Sequence, residues 1–124
     1  MLNGLNISGN AWVQARAGNI TQTQAVTAAG LAAKASGGIT LDLGAPTGQN
    51  QIGVFAGAAG TGTVNLLTQT SVEVGSVGTA AANARLGGPL LGVQTQNQSA
   101  TIRSDVGSIT LSQNVSVGTG TLSL

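Results

Sequence analysis

Only seven of the 124 side chains carry a formal charge, and chemistry that depends on charge must come from them. They are Arg16, Lys34, Arg85, Arg103, Asp42, Glu73 and Asp105. Histidine is absent, so the commonest general base and metal ligand is missing. Cysteine is absent too, which removes thiolate nucleophiles, thiolate metal sites and disulfides. No Ser-His-Asp or Cys-His arrangement can be built from this set. What remains is three carboxylates, Asp42, Glu73 and Asp105, any two of which could make the pair that glycoside hydrolysis uses. Asp42 in "GGITLDLG" and Glu73 in "SVEVGS" both fall at outward positions of an alternating pattern, where a solvated charge is the ordinary state. "IRSD" puts Arg103 and Asp105 on one side of a strand. Lyases of acidic polysaccharides combine acids with Arg or Lys in this way. The simpler reading is a surface ion pair worth under about 1 kcal/mol.

Other motifs weaken on inspection. "GGITLDL" is similar to a calcium-binding glycine-rich nonapeptide, but Thr40 stands where the third glycine belongs and no second copy supplies a facing carboxylate. "GAAGTG" at 57–62 lacks the Lys of a phosphate loop and reads as a corner. Thr-x-Thr pairs at 21/23, 61/63, 68/70 and 119/121 are spaced too irregularly for the ranked array of an ice-binding face. Asn-x-[Ser/Thr] acceptors at Asn6, Asn19, Asn97 and Asn114 are expected by chance in a chain this rich in Asn and Thr. The expectation is therefore a chain without enzymatic activity, with no catalytic, cofactor-binding or metal-binding residue and no cofactor.

The elements that would hold these residues are strands. Charged residues are 6% of the chain against roughly 25% in an ordinary globular protein. A net charge of +1 gives no electrostatic case for nucleic acid. No apolar run is long enough for a membrane span. Glycine contributes 20 residues, proline two, and aromatics only Trp12 and Phe55. Val, Ile and Leu alternate with Thr, Ser and Asn, which suits a half-buried sheet over a thin core.

A motif of Gly-x-apolar-x-apolar recurs: "GNAWV" at Gly9, "GNITQ" at Gly18, "GGITL" at Gly37, "GTVNL" at Gly62, "GSITL" at Gly107 and "GTLSL" at Gly120. From Gly18 to Gly37 is 19 residues and from Gly37 to Gly62 is 25. A period near 20, with short strands and glycine corners, predicts an all-β solenoid of five to six coils, spaced about 4.8 Å apart as parallel strands are. In each motif one face is apolar: Ile39, Leu41 and Leu43 against Thr40 and Asp42, Val72 and Val74 against Glu73. "AVTAAGLAAKAS" at 25–36 reads as a strand plus a corner, a helical turn being the alternative. Residues 78–92 read as an insertion, a loop or a short helix bulging from the coil, that would account for the long gap between Gly62 and Gly107.

In their order, "GNITQTQAVTAAGLAAKASGGITLDLG", "NQIGVFAG", "GTVNLLTQTSVEVGSVG" and "GSITLSQNVSVGTGTLSL" resemble the repeat region of filamentous-haemagglutinin-like adhesins of bacterial two-partner secretion. The resemblance covers roughly residues 18–124. It implies a right-handed parallel β-helix at the outer surface of a Gram-negative cell, serving as a shaft that displays adhesive regions. It implies as partners a host or neighbouring-cell surface, glycan or protein, and an outer-membrane transporter for the parent protein. "LNGL" at 2–5 is too short to match the family's secretion domain, and the residues after Met1 lack the basic and apolar regions of a signal peptide. The expectation is that residues 1–124 form one solenoid segment of a longer exported precursor, prone to self-association through exposed coil ends. The alternatives are a fragment of a β-helical carbohydrate-active enzyme, such as a polysaccharide lyase, and an ice-binding solenoid.

Overall fold

A computed structural model describes residues 1–43, 49–78, 86–87 and 90–124. It is all-β, with no α-helix among the described residues. Twelve strands are formed: β1 (Leu2–Asn6), β2 (Asn10–Ala15), β3 (Gln22–Ala35), β4 (Ile39–Leu41), β5 (Gln51–Ala59), β6 (Val64–Thr68), β7 (Val72–Val74), β8 (Val93–Thr95), β9 (Ala100–Ser104), β10 (Ile109–Leu111), β11 (Val115–Ser116) and β12 (Leu122–Ser123). They make an eight-stranded and a four-stranded sheet in which every paired strand runs parallel.

The strands line up in three rows. One row is β1, the first half of β3, the first half of β5, β7 and β10. A second is β2, the second half of β3, the second half of β5, β8 and β11. The third is β4, β6, β9 and β12, with Ile20 bridging to Ile39 at its head. Register partners stand 20 residues apart at Asn10↔Gly30, 24 at Gly30↔Val54, 25 at Ile39↔Val64 and 22 at Ala100↔Leu122. Val64↔Ala100 spans 36. The parallel arrangement is compatible with a β-solenoid, with one detour that lengthens the offset to 36 or 37 residues.

Alternation builds the core between the rows. Ile39, Leu41, Val64, Leu66, Ala100 and Ile102 are buried in the third row, while Thr40, Asn65 and Thr101 remain partly accessible. They meet Leu31, Ile52, Val72, Val74 and the fully buried ring of Phe55. Leu43, expected on this inner face, is half-buried. Corners that lead into the third row bring backbones together. A Cβ on Gly62 would lie 2.6 Å from the Cα of Gly38, a gap that no side chain fits.

Two features add to the sequence reading. The strand within 25–36 is β3, which runs unbroken through Gly30, serves two rows at once and gives way to a bend at Ser36. Its Gly30-to-Ala33 stretch is buried on both faces, which explains why small apolar residues replace a clean alternation there. The glycine motif also does not mark one row. Gly37, Gly62 and Gly120 precede third-row strands, Gly9 precedes β2 in the second row, and Gly107 precedes β10 in the first. Within 78–92, residues 79–85 and 88–89 lie outside the described residues.

Candidate functional site

The carboxylates are not gathered. Glu73 is on β7 of the eight-stranded sheet, paired in register with Val54 and Thr110. Asp42 and Asp105 lie just beyond strands of the other sheet. Two strand spacings, about 9.6 Å, separate β4 from β9 before the offset along the strands is added. The Asp105 carboxylate accepts a hydrogen bond from Gln49 Nε2 at 2.7 Å, so its partner is an amide rather than the Arg103 guanidinium. Among the described residues, no three metal-ligating side chains come together. Arg85 lies outside the described residues.

Two of the other motifs turn out to be structural. Thr68, from one Thr-x-Thr pair, is fully buried, and its hydroxyl donates to the Asn50 carbonyl at 3.0 Å. Asn19 and Asn97 use their side-chain oxygens to accept from the backbone of the next strand layer, at Gly38 N (2.7 Å) and Thr119 N (3.1 Å).

Asn50, the first residue of "NQIGVFA", is buried at the corner ahead of β5. Its Oδ1 accepts from Val26 N at 2.8 Å and Gln22 Nε2 at 2.7 Å. The two N–H groups of its Nδ2 are shared among three acceptors, the carbonyls of Leu41 and Leu67, both at 3.0 Å, and Gln22 Oε1 at 2.8 Å. The amide closes the gap where the third row passes into the first, and no buried side-chain polar atom among the described residues lacks a partner.

A concave feature with polar side chains lies on the outer face of the second row. Along that face, outward positions form ranks across the strands. Trp12, Ala32 and Ala56 make one rank, and Gln14, Lys34, Ala58 and Gln94 make the next. The first rank is covered: Ala32 and Ala56 pack with Val77, Leu86 and Leu90 into a small outer core, against which Trp12 leans. Small residues on the strands leave the depth this needs; a side chain on Gly30 would run into Val77 and Asn10. The second rank is left open as a groove of about 610 Å³, edged by Leu86 and Gly87. Lys34 Nζ donates to the Leu86 carbonyl at 2.8 Å, tying the edge of the groove to its floor.

No family model, curated protein or solved structure matches the chain. The functional reading therefore rests on the rows, the corners and this groove.

Proposed function

We propose that the chain is a shaft segment of a secreted bacterial surface adhesin of the filamentous-haemagglutinin-like kind, folded as a right-handed parallel β-helix. Five coils account for the strands: β1 and β2 with Ile20; β3 and β4; β5 and β6; β7, β8 and β9; β10, β11 and β12. The observation that carries this reading is the stacking of all three rows in parallel, with offsets of 19 to 25 residues wherever the chain does not detour. Such a stack grows along one axis by adding coils, each contacting only its neighbours. That is what a spacer needs, and it needs no catalytic group.

The sparse charge fits the same role. Outward rows of Thr, Ser, Asn and Gln present a neutral polar surface that touches other surfaces without strong electrostatic selection. Contact with a host or neighbouring cell, through glycan or protein, follows from display rather than from turnover. Leu111 (47% exposed), Leu124 (57%) and Val106 (74%) lie on or beside the β10–β12 layer, and in the shaft reading these apolar positions are where a following coil or a second copy packs.

The test is the DNA that flanks this reading frame. An in-frame extension holding an export domain and further repeats of this kind supports the shaft. Stop codons close on both sides contradict it, and would return the enzyme and ice-binding alternatives to direct assay.

A further inference from the structure

The groove over the second row collects cations without acids. Arg16 and Lys34 line it, and no carboxylate does among the described residues. The three acids of the chain are on other parts of the fold, as described above. Lys34 spends one N–H on the Leu86 carbonyl, leaving two of its three for another acceptor. Arg16 follows β2 by one residue and is exposed, so its fork is free to meet a carboxylate side-on. Ala58 stands in register between Lys34 and Gln94, and its small side chain leaves a gap in the rank. Gln14, Gln94 and Gln96 are all exposed around it, and each amide both donates and accepts. The volume of about 610 Å³ is within the range of small-ligand sites.

We propose that this groove binds a carboxylate-bearing saccharide. The carboxylate is held by Arg16 and Lys34, and the hydroxyls are read by the glutamine amides. A cation pair alone would favour any anion. The amides are what select a polyhydroxylated one, since each can satisfy a hydroxyl in either sense. No covalent step is involved, and the site takes its ligand unchanged. The inference goes beyond the shaft reading and does not depend on it, because the groove needs only the second strand row and the Leu86 edge.

The experiment is calorimetric titration of the chain with a trimer of galacturonic acid and with the neutral galactose trimer, at low and at moderate salt. The expected result is binding of the acidic trimer only, weakened by salt. Arg16→Gln and Lys34→Gln should each weaken it about tenfold or more, the size of one charge-assisted hydrogen bond. Arg16 is exposed, so its replacement leaves the fold intact, and an unchanged Trp12 emission spectrum verifies that. Equal affinity for both trimers, no binding of the acidic trimer at millimolar concentration, or unchanged affinity in both variants would overturn the proposal. The flanking DNA is indifferent to each of these results, so the two readings fail separately.

Discussion

Asn50 Oδ1 sits 2.8 Å from the backbone nitrogen of Val26 on the preceding strand layer, one residue ahead of the register pair Thr27↔Gln51. One side chain thereby replaces a backbone carbonyl in the ladder at the point where the chain turns into β5. The same amide reaches Leu41 and Leu67 on two strands of the other sheet. Asn50 thus joins both sheets from the inside.

Asn50→Ala should be costly for its size. It leaves the Val26 N–H and the Leu41 and Leu67 carbonyls buried with a partner lost, at about 1–3 kcal/mol for each group left unsatisfied. A total loss of about 3 kcal/mol or more is expected, read from urea unfolding. Asn65→Ala removes only a 3.3 Å contact to the Thr63 hydroxyl at a half-buried position and should cost under about 1 kcal/mol. Similar losses for the two variants would mean that the Asn50 network contributes nothing special.

The outer core predicts a spectroscopic change. Trp12 is the only tryptophan, and it packs beside Ala32, Ala56, Val77, Leu86 and Leu90. Leu90→Ser puts a hydroxyl among these side chains and should loosen the cover over the first rank. Trp12 emission should move to longer wavelength while the circular dichroism of the sheets stays as in the parent chain. Unchanged emission would show that Leu90 does not help to shield the indole.

Arg103→Ala and Asp105→Ala separate the shaft reading from the lyase alternative. Both residues are exposed, and each variant should shift stability by no more than about 0.5–1 kcal/mol. The parent chain should show no turnover of uronic-acid polymers. Turnover that both variants abolish would replace the shaft with an enzyme.

The strands themselves were legible because alternation is a local signal. "GGITL" and "GTVNL" predict buried Ile39, Leu41, Val64 and Leu66, and all four are buried. Row membership was not legible, since a glycine corner looks alike wherever it turns the chain. The third-row strand β9 begins after "NQS", without any glycine. Asn97 takes a left-handed φ of 61° there, matched one layer on by Gly118 at 58°, and Thr95 and Gln98 close the turn through the Thr95 hydroxyl. A search for glycine therefore passes over this corner and finds a gap of 45 residues from Gly62 to Gly107, two glycines that belong to different rows. The groove was hidden for a related reason. Gln14, Lys34, Ala58 and Gln94 come together only through register, and their spacings of 20, 24 and 36 residues follow no fixed period.

The central claim is the parallel order of the third row, β4 beside β6 beside β9, and the absence of natural cysteine makes it directly testable. Thr40, Asn65 and Thr101 are register partners in that order. Cysteines would be placed in pairs, oxidised at low protein concentration, and the monomer analysed by mass spectrometry. Thr40→Cys with Asn65→Cys should form a disulfide, as should Asn65→Cys with Thr101→Cys, since neighbouring strands lie about 4.8 Å apart. Thr40→Cys with Thr101→Cys should stay reduced, because about 9.6 Å exceeds what a disulfide spans. Closure of the 40/101 pair, with both adjacent pairs remaining open, would contradict the stacked order and the solenoid built on it.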